Sequence, residues 1–360
     1  MLNTQKETLI SVVIPVYNAG TKINLCMRSL LAQTYNNIEI ILVDDKSPDK
    51  ETIKILRGWV KKDSRVRLLE KDVNGGPRMD GIKLSQGEYI VFADQDDWMP
   101  KNAIETMYNA AIKYDVDVVV GQNSKAIKIG SLVHAFAPKH LFPHTGEILE
   151  HDELMGEFFE SYFGHNILPV SVWGKLYKKE LFDRVDFPSP WPKTGAGDLL
   201  LSMYLHPHIQ RMIIIPDVVY SYLIGLPGAS PKYLNGWLTR SEVLFYYKWK
   251  MLDKFNFSRA FKFQTIEMVN YIKTFVRDCT IFDSKNRQIR IQELSQSLEN
   301  PLWQRIHLLS ETGYKDQELV SYILEKNAQD LYEELEKRFL PRSITQKIKY
   351  SLLRASVKFK

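Results

Sequence analysis

Tyr89-Ile90-Val91-Phe92-Ala93-Asp94-Gln95-Asp96-Asp97-Trp98 is the stretch on which the reading of this chain turns. A short apolar, aromatic and β-branched run, the pattern of a buried strand, leads directly into a carboxylate cluster. Acids crowded where a strand ends repel one another, and a cation relieves that repulsion. Asp94 and Asp96 have the spacing that lets two carboxylates reach one hard divalent ion, or one ion and a sugar hydroxyl. The plainer alternative is that Asp96 or Asp97 caps the next helix.

Working outward, strands and helices alternate. Leu9 to Val16 reads as a strand closed by Pro15 and Asn18, and Ile23, Cys26, Met27, Leu30 and Leu31 form one helical face. Ile38 to Val43 is a second strand. Asp44-Asp45-Lys46-Ser47-Pro48 follows, with Ser47 as a cap and Pro48 at the first helical position. The helix to about Lys61 is expected to bury Ile53, Leu56 and Val60. Val66 to Leu69 is the third strand, Asn74-Gly75-Gly76-Pro77 a loop, and a short helix ends near Gly87. Beyond the central stretch come a helix after Pro100 and a strand from Val116 to Val120. Near-continuous apolar strands alternating with helices imply an α/β fold, Rossmann-like, with a mostly parallel sheet flanked by helices.

Ligands of such sheets bind outside the carboxyl ends of the strands. That rule gathers Pro15-Val16-Tyr17-Asn18, Asp44-Asp45, Asn74 to Arg78, and Asp94 to Asp97 on one rim. Asp45 can accept hydrogen bonds from a base or ribose, and Pro15 and Tyr17 can flank a base. Gly75 and Gly76 permit close backbone approach, and Arg78 can meet a phosphate. Asp94 and Asp96 can hold a metal against a diphosphate. The chain has no G-x-G-x-x-G after the first strand and no G-x-x-x-x-G-K-[ST], so dinucleotide oxidation and P-loop phosphoryl transfer are poor readings.

Composition bounds the rest. A net charge of +5 over 360 residues is too small to argue for nucleic acid. Cys26 and Cys279 are too few and too far apart for a disulfide framework or a zinc set. No signal-peptide pattern and no 18-residue apolar run are present, which predicts a cytoplasmic chain. The histidines show no ligand spacing, and His206-Pro207-His208 reads as a surface turn.

The ordered motifs resemble those of family 2 inverting glycosyltransferases with the GT-A fold. They are Ser11 to Asn18, Ser29 to Tyr35, Glu39 to Ser47, Asn74 to Pro77, Gly87 to Ile90, Asp94 to Trp98, Val172 to Tyr177, and Gly197-Asp198, within roughly residues 9 to 225. The resemblance implies that Pro15, Tyr17, Asn18, Asp45, Gly76, Arg78 and Asp94 bind the nucleotide sugar. Asp96 is then the main metal ligand, with Asp94 beside it and Asp97 as an alternative. The implied cofactor is Mn²⁺ or Mg²⁺, and carboxylates alone do not separate the two. Asp198 falls where such enzymes keep the catalytic base. Trp173, Lys175 and Trp191 are acceptor candidates, Trp173 being equally readable as core. The implied reaction moves a sugar, from UDP by analogy, to a hydroxyl of a cell-surface glycan, lipooligosaccharide, capsule, wall-polymer or lipid-linked acceptor.

Three departures stand out. Gly197 occupies the position of a usual glutamate, the Gly76–Gly81 stretch is short, and Tyr220-Ser221-Tyr222-Leu223 lacks the basic residue that often follows. The Gly225–Ser230 loop is a substitute source of a late diphosphate contact. These departures motivate an alternative, a catalytically silent sugar-nucleotide-binding or scaffold homologue. A nucleotidylyltransferase is disfavoured because no glycine-rich basic signature follows the first strand.

Expected domains are 1–230 for catalysis (nucleotide half about 1–121, acceptor half about 122–230), 231–340 as a helical accessory region, and 341–360 as a basic amphipathic tail. The accessory region is open to completing the acceptor site or to mediating a homo-oligomer. After Pro341 come Arg342, Lys347, Lys349, Arg354, Lys358 and Lys360 with no acid. Such a tail suits an anionic membrane surface, here the cytoplasmic face of the inner membrane; the alternative is a solvated or disordered tail.

Overall fold

The computed structural model describes residues 8–129, 132–136, 138, 140–165, 167–223, 235–310, 313–341, 343 and 345–351. The chain divides into two compact units. One comprises Met1–Phe159, Ile167–Lys193 and Gly197–Ile224; the other comprises Glu160–Asn166, Thr194–Ala196 and Gly225–Lys360.

The first unit is built on a nine-stranded sheet. Its strands are β1 (Ile10–Val16), β2 (Ile38–Asp44), β3 (Val66–Glu70), β4 (Tyr89–Phe92), β5 (Val118–Ile129), β6 (Leu132–Phe136), β7 (Ile148–Glu150), β8 (Lys175–Lys178) and β9 (Arg211–Leu223). The order is β3-β2-β1-β4-β8-β5-β9-β7, with β6 paired to β5. β1 pairs in parallel with β2 on one side and β4 on the other. The strand order therefore reverses at β1, and the crevice beyond β1 and β4 is a topological switch point. The sheet is mixed beyond β4. β8 runs antiparallel to both β4 and β5, and β7 antiparallel to β9, while β5 and β9 are parallel.

Every residue of β2 is buried, because helices cover both faces of this part of the sheet. Val12, Ile14, Ile40, Leu42 and Val91 pack in one layer with Ile23, Met27 and Leu30 of helix α1 (Ile23–Leu31) and with Ile104 and Met107. Val13, Ile90, Phe92, Val118 and Val120 pack in the other with Leu201 and Leu205. This is the period-two alternation of a strand with two apolar faces. Cys26 is buried as expected.

Helix α2 (Lys50–Lys62) begins later than the sequence suggested. Asp49, not Ser47, caps it, accepting from the Thr52 amide at 2.6 Å. The Ser47 hydroxyl instead accepts from the Asn18 amide. The buried stripe is Thr52, Leu56 and Trp59, which leaves Val60 on the outside. Helix α3 (Pro77–Leu84) starts from Gly76 in the left-handed conformation (φ 68°) with Pro77 at its first position. At Gly81 a Cβ would lie 2.3 Å from Val13 Cγ1, so glycine lets α3 settle onto the sheet. Helix α4 (Ala103–Tyr114) starts well past the carboxylate cluster, so neither Asp96 nor Asp97 caps it.

In the second unit the helices Trp237–Lys254, Phe261–Phe282, Arg287–Leu298, Gln317–Leu324 and Ala328–Phe339 surround a core that includes Phe245, Phe275 and Trp303. Among the described residues no helix is long and apolar enough to cross a membrane. Residues 342, 344 and 352–360 of the basic tail, and the Gly225–Ser230 loop, lie outside the described residues.

Candidate active site

The ends of β1, β2 and β4 meet around a cleft of about 230 Å³, lined by Pro15, Val16, Tyr17, Asp45, Pro77, Asp94, Gln95 and Asp96. Polar and apolar groups share the lining of the cleft, and Tyr17 in that lining is half exposed. The Gln95 amide group fixes Tyr17 as a strand neighbour does. Its Oε1 accepts from the Tyr17 amide at 2.8 Å and its Nε2 donates to the Tyr17 carbonyl at 3.1 Å.

Asp45 is pre-set by its neighbours. Its Oδ1 accepts from the Gly75 amide at 2.7 Å, and its carbonyl accepts from Asn74 Nδ2 at 2.8 Å. Lys71, which sequence reasoning missed, ties this corner together. Its ammonium donates to the Gly75 carbonyl, pairs with Asp80, and lies 3.5 Å from Asp45 Oδ1. Nothing in the local sequence marks Lys71, since a lysine at the end of an apolar strand is ordinary.

Of the expected nucleotide set, Pro15, Tyr17, Asp45 and Asp94 line the cleft, and Asn18, Gly76 and Arg78 do not. Asn18 is exposed beside Ser47 in the left-handed region (φ 49°). Gly76 packs against Trp191, where an added Cβ would sit 3.0 Å from Trp191 Cβ. Arg78 turns toward two carboxylates. Its Nη2 pairs with Asp94 Oδ1 at 2.6 Å and its Nη1 with Asp198 Oδ1 at 3.0 Å. Asp198 lies in the first turn of the helix Gly197–Leu205. Two carboxylates far apart on the chain thus converge through one guanidinium.

The three acids of the central stretch have different surroundings. Burial pushes the Asp94 carboxyl up to about 6, against the pull of Arg78, and Asp198 and Asp96 add to the rise. Asp96 is exposed and has no hydrogen-bond or ion-pair partner among the described residues. Asp97 is 2% exposed; its Oδ2 accepts from the Tyr220 hydroxyl at 2.9 Å and its Oδ1 from the Leu223 amide at 3.0 Å. Asp97 is therefore a structural anchor for β9, not a spare metal ligand. Burial raises its carboxyl to about 7, and those two donors oppose the rise. The Tyr220 hydroxyl also accepts from the Asp94 amide at 2.9 Å, so Tyr220 joins β9 to the carboxylate loop.

The acceptor candidates separate as well. Trp173 lies parallel to Tyr220, ring centroids 4.6 Å apart, and to Tyr222 at 6.2 Å. Tyr222, not among the acceptor candidates read from the sequence, is the exposed end of this column. Lys175 is buried in β8, and its ammonium donates to the Pro169 carbonyl at 2.8 Å. That burial removes it as a surface contact for an acceptor. Desolvation lowers its amine to about 7, and the charge of Asp198 opposes the fall. Trp191 packs edge-on to Phe187 and covers Gly76. His206 is fully buried, stacked on Phe159 with Nε2 bonded to the Leu154 carbonyl, so it is not the surface turn expected.

Asp94 and Asp96 both line the cleft, and carboxylate oxygens are the donor type that hard divalent ions take. Among the described residues no group of three His, Cys, Asp or Glu side chains forms a ready-made cage. Two carboxylates alone suit an ion that completes its shell with water and substrate phosphates.

Residues 11–149 match the family described as Glycosyl transferase family 2. GlyG, a glycosyltransferase of Streptococcus pneumoniae serotype 4, is 38% identical over 223 residues, covering 59% of this chain and 70% of GlyG. This chain belongs to the family 2 glycosyltransferases. A poly(ribitol-phosphate) beta-glucosyltransferase of Bacillus spizizenii is 31% identical over 225 residues, 61% of this chain. This glycosyltransferase chain spans only 33% of that relative's length. The crystal structure of S. aureus TarS 1–349 in complex with UDP-GlcNAc superposes with a TM-score of 0.63 at 19% identity, covering 92% of this chain and 91% of that one. The likeness identifies the architecture as the GT-A fold.

Proposed function

We propose that this chain transfers a hexose or N-acetylhexosamine from a UDP-sugar to a hydroxyl of a wall polymer or another surface glycan, inverting the anomeric carbon. The observation that carries the reading is the convergence of Asp45, Asp94 and Asp96 on one cleft, with Asp198 linked to Asp94 through Arg78. Similarity to a poly(ribitol-phosphate) beta-glucosyltransferase and to TarS, solved with UDP-GlcNAc, supports the acceptor and donor classes.

In this mechanism Pro15 and Tyr17 flank the base, and Asp45 accepts its N–H. Asp45 is held in place by Gly75 and Lys71, so little ordering remains on binding. The diphosphate lies toward Asp94 and Asp96. A divalent ion bound there supplies neutralisation of the departing diphosphate. Asp198 takes the acceptor hydroxyl's proton as that oxygen bonds to the anomeric carbon. The bond from that carbon to the diphosphate breaks, and its electron pair leaves with UDP. General-base help of this kind contributes about 10²–10⁴ in rate. The exposed Tyr222 and the Trp173 ring behind it offer a flat face for an acceptor sugar. The basic tail extends the proposal to an anionic, cytoplasmic membrane surface carrying the acceptor.

The test is a thermal-shift panel of UDP-, GDP-, CDP- and dTDP-sugars with Mn²⁺, Mg²⁺ or EDTA, on wild type and Asp96→Asn. A ligand at about 100 times its Kd stabilises the folded state by about 2.7 kcal/mol. Metal-dependent stabilisation by UDP-sugars, lost in Asp96→Asn, is expected. Folded protein that responds to no donor would count against the reading.

A further inference from the structure

Arg78 does more here than approach a phosphate. It is the second residue of α3, and its side chain is 20% exposed. Its two terminal nitrogens bridge Asp94 and Asp198 at 2.6 and 3.0 Å, and its Nε is buried with no hydrogen-bond partner. The guanidinium thus occupies Asp94 Oδ1, one of the few oxygens able to receive a cation in the cleft. A second positive charge on that carboxylate meets Arg78 at close range. Asp198, meanwhile, has one oxygen engaged by a strong charge-assisted donor and is not free to collect a proton from that side.

We propose that Arg78 is a positioning residue whose guanidinium holds the place of a cation beside Asp94. It ties Asp94 to Asp198, and loading of a divalent cation with the diphosphate breaks the Asp94 contact and re-aims the guanidinium. The inference rests on the glycosyltransferase reading above and adds an order of events: the base carboxylate stays clamped until the donor site fills. The planar fork of arginine is what permits one side chain to hold both carboxylates.

The experiment measures Mn²⁺ binding without nucleotide, by titration calorimetry and by the amplitude of the free-ion EPR signal. Wild type, Arg78→Gln, Arg78→Lys and Asp96→Asn are compared. With the competing charge gone, Arg78→Gln should bind Mn²⁺ about tenfold more tightly than wild type. Arg78→Lys, which keeps the charge, should stay near wild type, and Asp96→Asn should lose binding. A merely structural role for Arg78 predicts weaker binding in Arg78→Gln, not tighter. Equal or weaker binding there, with wild type still binding, overturns the inference and leaves the metal-dependent reading standing. No Mn²⁺ binding by any variant, with or without UDP, overturns both. A structure of wild type with UDP and Mn²⁺ provides a check that needs no variant. Arg78 moved off Asp94 is the expected result, and an intact Arg78–Asp94 pair overturns the proposal.

Discussion

Replacing Lys175 with methionine should stabilise the protein at neutral pH, and the gain should vanish as the pH rises. Lys175 is fully enclosed in β8, and its ammonium has the Pro169 carbonyl as its hydrogen-bond acceptor. Desolvation lowers its amine from 10.5 to about 7. The unfolded chain therefore holds a proton there over a range in which the folded chain does not. The stability free of this penalty is present above the unfolded value and is lost as the pH falls through about 7. At about 1.36 kcal/mol per unit, the full penalty is on the order of 5 kcal/mol. Methionine has similar length, fills the same space and carries no charge. It forfeits one hydrogen bond, roughly 1–3 kcal/mol if the carbonyl is left alone. A net gain of about 2 kcal/mol at pH 7 remains. The assay is urea unfolding followed by tryptophan fluorescence from pH 6 to 10. Wild type should recover on the variant by roughly 1.4 kcal/mol per pH unit between about 8 and 10 and run parallel to it below about 6. Parallel curves over the whole range would mean that Lys175 keeps its proton when folded, and the burial argument would fail.

Other outcomes follow from the same geometry. Asp198→Asn should reduce transfer by about 10²–10⁴ while UDP-sugar binding by calorimetry persists; lost binding would mean Asp198 shapes the donor site instead. Lys71→Met should raise the donor KM about tenfold or more with a smaller change in kcat, since it removes a charged donor that presets Asp45 and the Gly75 loop. An unchanged KM would show that the Gly75 amide alone positions Asp45. Tyr222→Ala should raise the acceptor KM with donor KM unchanged, and the reverse pattern would move the aromatic column to the donor side. Gly81→Ala, with its Cβ 2.3 Å from Val13, should destabilise by about 1–3 kcal/mol in urea unfolding, and a neutral result would mean α3 can lift from the sheet.

The first half of the fold is legible in the sequence because its strands are short, apolar and separated by helices with clear faces. β1, β2, β3 and β4 fall within a residue or two of where the pattern puts them. Past β5 the pattern weakens. β8 is four residues long and carries Lys175, so no strand is assigned there from the sequence, yet it forms the antiparallel bridge between β4 and β5. A strand whose lysine is buried has no periodic signature, because its partner is a carbonyl from a loop. Helix α2 shows the same limit on a smaller scale. Ser47-Pro48 is a good local start signal, but Asp49 wins because its carboxylate reaches both the Thr52 amide and the Thr52 hydroxyl.

What the sequence determined by itself is the order of chemistry along the chain. Pro15 lies near the end of an apolar strand, and Asp45, Asp94 and Asp96 follow others beside it, so a rim of acids follows from pattern and topology. What only the tertiary structure decided is which group faces which. Asp97 and Asp96 are adjacent in sequence, yet one is sealed against Tyr220 and Leu223 and the other is open to solvent. Arg78, read from the sequence as a phosphate contact, instead joins Asp94 to Asp198 beside the cleft. Side-chain direction at a rim depends on charges brought close by the fold, and those partners are distant in the chain.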